Sequence, residues 1–445
     1  MPTRKQVVLW EKFLDDNPEI EFVWIQYLCF KATFLVQILP VARFTKLIEE
    51  GQPVPLTKTA LFLLPVDKRP ADTTPGGVCY LQPDISTAYC QAPPNSHRAV
   101  VTASCFDSNG RPMEECPRSR LGVLSNMLKE ETGFYPLVGF EVEVMYMRRV
   151  RQDGKLGNYE LMDEHHSLYS MTTDDWSQLP MLEHTARAML RAGIAIEKFH
   201  AEAAPGQWEF VLPPEAPVDA VDTLLKARSI INEIAEKYDV RATMCPRPST
   251  KHAGNGMHAH LSMNAISGRD LKDTEPFFAG ILEHLPAVIA FSFSQEASYG
   301  RIASGIMSGG EYICWGWENK DAPLRRISIN RFEIKSLDAL ANPYLALCGM
   351  LAAGIDGMRR ALRLTAGISV SPAKLLPMER EAHGIRAMLP KSLSASLGAL
   401  ETDHALCDLL GDPIVRFYVA FKRGEMELAR NMTDKEKHDY LLSTY

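Results

Sequence analysis

The chain has 445 residues, of which 46% are apolar and 23% are charged, and its formal net charge at pH 7 is −7. These are the values of a globular protein and argue against a disordered chain or a coiled coil. The acidic balance gives no electrostatic footprint for DNA or RNA, and no apolar run approaches the roughly 20 residues that span a bilayer, so we expect no nucleic acid and no membrane as partners.

The cysteines predict a reducing environment. All nine are scattered along the sequence and include no C-x-x-C pair. This arrangement argues against a disulfide framework and a zinc ribbon, and it is typical of reduced thiols. Charged residues, beginning with Arg4 and Lys5, come too early in the N-terminal segment for a secretory signal peptide. The sequence therefore predicts a cytoplasmic protein.

The N-terminal part of the sequence predicts short strands separated by turns. Apolar runs at 61–65 and 99–103 have the length of strands, and the stretch 66–84, rich in Pro, Gly and Asp, predicts a loop. An Asp-Ser-Asn-Gly turn signal follows the second run. We place a domain boundary there, which divides the chain into a small domain of residues 1–107 and a large domain of residues 108–445.

Four later segments carry the apolar spacing or the end signals of helices. They cover residues 119–131, 181–192, 217–238 and 342–362. Gly133 stops the first of them, and Asn342 followed by Pro343 supplies the N-cap and the first helical position of the last. The charged tail from Asp412 onwards is also predicted to be helical.

The candidate chemistry lies on four strand-like segments that place polar side chains at i and i+2, on one face of the strand. The four groups are Glu141 and Glu143; Gln207 and Glu209, with Glu202 before the turn of the same hairpin; His258, His260 and Ser262; and Arg331, Glu333 and Lys335. Taken singly, they also fit a solvated acidic strand, a hairpin with exposed acids, a structural histidine pair and a self-paired charge ladder. Taken together, they predict one oxygen-rich site.

Such a donor set indicates the kind of metal and the kind of reaction. Carboxylates with little sulfur favour Mg²⁺ or Mn²⁺ over zinc. Divalent cations surrounded by arginine and lysine suit phosphoryl transfer, in which charge on the nucleotide and on the transferred phosphate must be neutralised. The sequence contains no Walker A pattern, which excludes a P-loop enzyme.

These segments, in this order, resemble the glutamine synthetase family, of the type I-like kind. The resemblance runs from about Pro83 to the C-terminus and includes five further motifs. They are Pro83-Asp84-Ile85-Ser86-Thr87, Pro117-Arg118-Ser119-Arg120-Leu121, Ser298-Tyr299-Gly300-Arg301, Glu318-Asn319-Lys320-Asp321-Ala322-Pro323-Leu324-Arg325 and Ala341-Asn342-Pro343-Tyr344-Leu345. Residues 1–80 match weakly.

The resemblance implies an α+β fold, with a small N-terminal β-grasp domain and a large catalytic domain in which an antiparallel sheet is flanked by helices. It implies a homo-oligomer, a ring or double ring with sites between subunits. It also implies ATP and about two or three Mg²⁺ or Mn²⁺ ions per site. In the family's reaction a substrate carboxylate takes the γ-phosphoryl group of ATP, and an amine then displaces phosphate to leave an amide.

The resemblance also assigns roles to single residues. Two sets of three resemble metal ligands: Glu143, Glu202 and Glu209 near the carboxylate and acceptor, and Glu141, His258 and Glu333 near the ATP phosphates. The other matches are expected to contact ATP or substrate. They are His260, Arg331, Arg325 and Lys320 for ATP, and Arg301, Gly254, Lys335 and Met307 for the acid and amine substrates. Among all of these, Arg301, Arg325, Lys320 and Glu333 are predicted to be catalytic.

Several positions depart from members that use ammonia. Met307 stands where those proteins have a glutamate that helps to deprotonate ammonium, and Glu311 comes four residues later. Lys320 and Lys335 replace arginines, which keeps the charge and loses the planar fork. Ala253 replaces an asparagine that commonly contacts the amino acid. The ammonium-binding Asp–Ser loop of the N-terminal domain is not recognisable.

These departures spare the metal ligands and alter the pocket. The pattern, together with Trp315-Gly316-Trp317-Glu318-Asn319, resembles the γ-glutamylpolyamine and γ-glutamyl-amine synthetase branch, which joins glutamate to amines such as polyamines or ethanolamine. Our leading hypothesis is an ATP-dependent carboxylate–amine ligase. The rivals are an authentic ammonia-using glutamine synthetase, a non-catalytic assembly protein of the same family, and a guanidino kinase.

Overall fold

The structure is a computed structural model, which describes residues 4–70, 76–91, 97–152, 155–162, 168–249, 251–252, 254–266 and 268–445. These residues form an α+β fold with two β-sheets and helices packed against them. The predicted fold class is confirmed. In the described part of the chain, no helix is both long enough and apolar enough to cross a membrane.

The first sheet has five strands among the described residues and a β-grasp arrangement. They are β1 (Phe22–Tyr27), β2 (Leu35–Pro40), β3 (Val54–Thr57), β4 (Val78–Cys90) and β5 (Arg98–Phe106), in the order β2-β1-β5-β4-β3. The central neighbours β1 and β5 are parallel and the other pairs are antiparallel. Helices α1 (Arg4–Asp16) and α2 (Val41–Glu49) meet through Trp10 and Phe44, whose rings lie 4.9 Å apart.

The second sheet has nine strands among the described residues and positions the candidate site. They are β6 (Phe134–Gln152), β7 (Lys155–Leu161), β8 (Lys198–Ala201), β9 (Gln207–Val211), β10 (Val240–Thr243), β11 (Met257–Ala265), β12 (Trp315–Trp317), β13 (Leu324–Ser328) and β14 (Arg331–Ile334). The order is β12-β13-β14-β11-β6-β9-β8, and β7 and β10 also pair with β6. The predicted antiparallel pairing needs one correction, because β12 and β13 are parallel.

Eleven further helices complete the described chain. They are α3 (Pro117–Thr132), α4 (Thr173–Arg191), α5 (Pro217–Lys237), α6 (Glu275–Glu283), α7 (Leu285–Ser292), α8 (Pro343–Arg360), α9 (Pro377–Ala382), α10 (Leu393–Thr402), α11 (His404–Leu410), α12 (Asp412–Arg430) and α13 (Asp434–Thr444). Helix α8 lies in the core and begins as predicted, because the Asn342 side chain accepts hydrogen bonds from the amides of Tyr344 and Leu345. Gly354 allows α6 to approach α8, since a Cβ there would lie 2.1 Å from Cε2 of Phe277.

Four sequence predictions need correction. The run 61–65 is not a strand: residues Lys58–Phe62 form a short 3-10 helix whose Leu61 is buried, so the apolar pattern reflects burial. The predicted loop 66–84 gives way to β4 from Val78. Helix α4 begins before residue 181, because a capping box starts it and Pro180 lies inside it. Helices α1 and α2 were not predicted at all.

Arg118 connects the first sheet to the helices of the second. Its guanidinium donates to Asp84 on β4 at 2.8 Å, to Asp222 on α5 at 2.6 Å, and to Ser104 on β5 at 3.1 Å. Such charge-assisted hydrogen bonds are stronger than neutral ones. The boundary between residues 107 and 108 stays a prediction, and it falls between β5 and α3.

Candidate metal and substrate site

Four neighbouring strands of the second sheet carry the predicted ligands. Glu143 on β6 pairs directly with Glu209 on β9. Glu141 on β6 pairs with His258 on β11, and Glu333 on β14 pairs with His260. Because alternate side chains of a strand point to opposite faces, this register brings the polar groups of all four strands to one face. The intervening apolar side chains are buried on the other.

The first cluster consists of Glu143, Glu202 and Glu209, which offer carboxylate oxygens that all lie within 4.8 Å of one another. Glu143 Oε2 accepts from Nε2 of Gln207 at 3.0 Å and from the amide of Gly256 at 2.8 Å. Glu209 Oε1 lies 3.1 Å from Nε2 of His200. These contacts orient two of the three carboxylates toward the same point.

The crowding of three carboxylates changes their affinity for protons. Burial and the charges of Glu143 and Glu209 raise the pKa of Glu202 to about 7, although the Lys320 ammonium acts in the opposite direction. Burial and neighbouring carboxylates also raise the pKa of Glu209, against a hydrogen bond from His200. The cluster therefore holds negative charge at an energetic cost that a cation would remove.

The second cluster consists of Glu141, His258 and Glu333, whose ligand atoms also lie within 4.8 Å of one another. Nδ1 of His258 is 3.2 Å from Glu141 Oε2 and 3.3 Å from Glu333 Oε1. Glu333 also accepts from Lys335 Nζ at 2.9 Å and from Arg325 Nη1 at 2.8 Å. Arg325 donates to Glu318 as well.

Both carboxylates of this cluster are held ionised. Burial alone would raise the pKa of Glu333, but the Lys335 ammonium and His258 lower it to about 2. Burial likewise opposes ionisation of Glu141, and hydrogen bonds from His258 and His260 hold its pKa well below the usual range. Low carboxyl pKa values favour cation binding at neutral pH, because no proton has to be displaced.

His260 has a defined tautomer. Arg331 can only donate, and its Nη2 lies 2.9 Å from Nδ1 of His260, so that nitrogen accepts. Nε2 therefore carries the hydrogen and donates to Glu141 Oε1 at 2.9 Å. Arg331 is exposed at the outer side of this contact.

The residues fit a divalent cation. The first cluster supplies three carboxylates, the second supplies two carboxylates and an imidazole, and neither contains a cysteine, which suits Mg²⁺ or Mn²⁺. Among the described residues, Nε2 of His258 is buried and has no hydrogen-bond partner. Gly256 leaves room beside it, since a Cβ on Gly256 would lie 2.5 Å from that nitrogen. Nδ1 of His258 faces Glu141 and Glu333 and is the nitrogen placed to bind a cation in the second cluster.

A cavity of about 80 Å³ lies beside the first cluster. Its lining includes the predicted substrate residues, the predicted ATP-binding Lys320, and ligands from both clusters. Those residues are Gly254, Arg301, Met307, Lys320, Lys335, Glu143, Glu202 and His258. Arg301 is buried, and within the described chain its Nε has no hydrogen-bond partner. An unpaired buried guanidinium nitrogen is suited to a substrate carboxylate.

The loop after Arg301 has a fixed path. Ser308 Oγ donates to the carbonyl of Arg301 at 2.5 Å, and the amide of Gly309 donates to the carbonyl of Lys320 at 3.2 Å. Met307 directly precedes these two donors and has a φ of 58°. Glu311 does not line the cavity: Ser304 donates to it at 2.8 Å and Lys391 at 2.7 Å. Those hydrogen bonds, the one from Lys391 first, lower its pKa.

Some predicted residues lie elsewhere, and some lining residues were not predicted. His260, Arg325 and Arg331 surround the second cluster and are not among the cavity residues. Ala253 lies outside the described residues. The cavity lining adds two groups that sequence reasoning missed. They are the polar Arg247 and Ser308, and the apolar Leu168, Ala203 and Ile306. Gln207 also lines the cavity, and its position on one strand face with Glu209 had already placed it among the predicted polar groups.

Fold and site together define an α+β protein whose second sheet carries a candidate divalent-cation site beside a cationic cavity. The chain belongs to the glutamine synthetase family. Residues 114–440 match the family described as glutamine synthetase, catalytic domain.

Two curated relatives and one solved structure extend this result. The chain is 40% identical over 440 residues to protein FluG of Emericella nidulans, and the match covers 98% of this chain and 50% of that protein. It is 32% identical over 265 residues to γ-glutamylpolyamine synthetase GlnA3 of Streptomyces coelicolor, and the match covers 56% of each chain. The chain thus spans about half the length of these relatives. A ligand-free GmaS structure superposes with a TM-score of 0.80 at 22% identity and covers 96% of this chain and 98% of that one.

Proposed function

We propose that the protein is an ATP-dependent carboxylate–amine ligase, which forms a γ-glutamyl or related amide through an acyl phosphate and uses an acceptor amine larger than ammonia. The observation that carries this proposal is the set of two three-donor clusters beside a cavity that contains both Arg301 and Met307. The similarity to a relative named γ-glutamylpolyamine synthetase supports the same class of reaction.

In this proposal the cationic side chains bind and orient the two anionic substrates. Arg301 binds a carboxylate of the acid, and Lys335, which already neutralises Glu333, adds positive charge to the same wall. Arg325 and Arg331 bind phosphate oxygens at the second cluster, and Lys320 extends toward the cavity. Opposite charges placed before the reaction stabilise the charge that develops in the transition state.

The two clusters would hold Mg²⁺ or Mn²⁺, with Glu143, Glu202 and Glu209 at one position and Glu141, His258 and Glu333 at the other. When bound, the cations would screen the repulsion between the carboxylate and the triphosphate. A carboxylate oxygen of the acid then forms a bond to the γ-phosphorus while ADP leaves. The amine nitrogen attacks the acyl carbon, phosphate leaves, and the nitrogen loses a proton to solvent.

The alternatives are less well supported. An ammonia-using enzyme needs a carboxylate near the acceptor, and Glu311, the nearest candidate in the loop, is hydrogen-bonded to Ser304 and Lys391. A non-catalytic relative would be expected to lack metal ligands, whereas both predicted sets have their three donors close together. The ring assembly, with sites shared between subunits, stays a prediction.

The test is a screen for ATP-dependent phosphate release over several acids crossed with several amines, at fixed Mg²⁺–ATP. The proposal requires release that depends on both an acid and an amine. Release with ammonia at a rate that matches every larger amine would favour a glutamine synthetase instead. ATP consumption without free phosphate would indicate a kinase.

A further inference from the structure

We propose that the protein has a second anion-binding site, outside the two metal-ligand clusters, which binds the phosphoryl group of a small phosphate ester. The site is a cavity of about 440 Å³ that is lined by residues of the N-terminal part of the chain and by residues of β6, α5 and β10. It shares no lining residue with the cavity beside the first cluster. Its occupation does not require the proposed ligase function.

Among the described residues, three arginines line this second cavity. They are Arg149 on β6, Arg228 on α5 and Arg241 on β10. Arg149 is already paired, because both of its Nη atoms donate to the carboxylate of Glu236. Arg228 and Arg241 donate to backbone carbonyls, and neither forms an ion pair with a described residue. Two guanidinium groups of the lining therefore lack a carboxylate partner.

Arg228 is buried without an ion-paired carboxylate. Its exposed fraction is 8%, and its Nη2 donates to the carbonyl of Ala339 at 3.0 Å. Within the described chain, its Nη1 is buried and has no hydrogen-bond partner. Burial lowers the pKa of Arg228 to about 10, although Tyr445 and Asp338 act in the opposite direction. A buried cation without a paired anion is costly, and a bound anion would remove that cost.

Arg241 is the second guanidinium that a ligand can use. It is partly buried, and its Nε donates to the carbonyl of Leu442 at 2.9 Å. That contact anchors the side chain and leaves the two Nη atoms for a ligand. Glu233, which also lines the cavity, lies 3.8 Å from Arg98, so its charge is partly neutralised by a different arginine.

The lining indicates the class of ligand. Guanidinium groups bind phosphate oxygens through paired hydrogen bonds, and two of them match the charge of a dianionic phosphoryl group. A cavity of about 440 Å³ has room for more than a phosphate ion, and its lining includes the apolar Phe34, Leu225 and Val240. Apolar lining with a few charged groups is typical of a small-molecule site. We therefore expect an ester with a compact apolar substituent to bind better than inorganic phosphate.

The test is isothermal titration calorimetry of the full chain in metal-free buffer without nucleotide. The ligands are phenyl phosphate, inorganic phosphate and succinate, which carries its two charges on separate groups. We expect phenyl phosphate to bind most tightly. Arg228→Met should weaken its binding at least about tenfold, because the variant loses charge-assisted hydrogen bonds to the phosphoryl group. Arg241→Met should have the same effect, and it serves as the second variant if Arg228→Met fails to fold.

Two control variants separate this site from other cationic surfaces. Arg148→Met is the matched control, because Arg148 is exposed on β6, its Nη2 lies 3.5 Å from the carbonyl of Met162, and it does not line the cavity. Arg325→Met removes a cation of the second cluster, where a phosphate ester could also bind. Both variants should bind phenyl phosphate as the unmodified protein does.

Each result supports the second site or overturns it. No binding of phenyl phosphate at millimolar concentration overturns it, and so does unchanged affinity in folded Arg228→Met and Arg241→Met variants. Loss of binding in Arg325→Met would assign the binding to the second cluster instead. Tighter binding of succinate than of phenyl phosphate would overturn the assignment of a phosphoryl group. The phosphate-release screen tests the ligase function separately, and neither experiment decides the other.

Discussion

Cation binding at the first cluster should be linked to the release of one proton from Glu202. Burial and the charges of Glu143 and Glu209 raise the pKa of Glu202 to about 7, so below that pH the carboxyl is mostly protonated in the metal-free protein. A cation needs the ionised form and must displace the proton. With a pKa of 7, the ionised fraction is about 10% at pH 6 and about 90% at pH 8, so the apparent affinity for Mn²⁺ should rise about tenfold between them.

The assay is isothermal titration calorimetry of Mn²⁺ without nucleotide, in two buffers with different heats of ionisation. The difference between buffers should correspond to about one proton released per ion at pH 6 and to almost none at pH 8. Glu202→Gln should remove this proton release and weaken binding. Glu311→Gln is the matched control, because Glu311 is hydrogen-bonded to Lys391 outside the cavity.

The same shift predicts the pH dependence of stability. Because the pKa of Glu202 is higher in the folded protein than its ordinary value of 4.5, its contribution to the metal-free protein is present below about pH 4.5 and is lost as the pH rises through about 7. Saturating Mn²⁺ should restore stability above pH 7. An Mn²⁺ affinity that is constant between pH 6 and pH 8, or identical proton release in Glu202→Gln, would contradict the release of a proton from Glu202.

Three further substitutions test other parts of the structure. Glu333→Gln should abolish ATP-dependent phosphate release and lower the free energy of unfolding by about 3 kcal/mol. The reason is that the substitution leaves the buried Lys335 ammonium, 2.9 Å away, without its carboxylate. A folded and active variant would contradict this prediction. His284 lies 2.6 and 2.9 Å from two aspartates, and those hydrogen bonds raise its pKa although burial acts in the opposite direction. His284→Gln should lower the free energy of unfolding by about 2 kcal/mol below pH 6.5, and by less as the pH rises through the raised pKa of His284. Urea unfolding at several pH values measures this loss. A loss that does not depend on pH would show that His284 is not charged in the folded protein. Gly354→Ala should lower the free energy of unfolding by about 1–3 kcal/mol, because the added Cβ would lie 2.1 Å from Cε2 of Phe277. Thermal unfolding measures this loss, and an unchanged Tm would show that α6 and α8 can move apart without loss of stability.

The ligand strands could be predicted because their signal is local. Glu141 and Glu143, or His258 and His260, share a strand face whatever the rest of the fold is, since side chains alternate along any strand. The pairing of Glu143 with Glu209 is a long-range register that no short pattern contains. It became an expectation only through the family resemblance.

The rest of the site could not be predicted because loops build it. Leu168, Arg247 and Ile306 lie outside regular strands and enter one cavity only after the chain folds. The position of Glu311 also depends on the folded loop, because the hydrogen bond from Lys391 holds this carboxylate outside the cavity although it is only four residues from Met307. Helix α1 was missed because residues 1–80 resemble the family weakly and its apolar face is short.

The proposed function requires that ATP is consumed to join a carboxylate to an amine. The most direct measurement quantifies ADP, free phosphate and amide in one reaction that contains Mg²⁺–ATP, glutamate and an amine, with each substrate omitted in turn. We expect equal amounts of all three products, and none of the amide when the acid or the amine is left out. Phosphate without amide, or ADP with a phosphorylated product and no free phosphate, would contradict it.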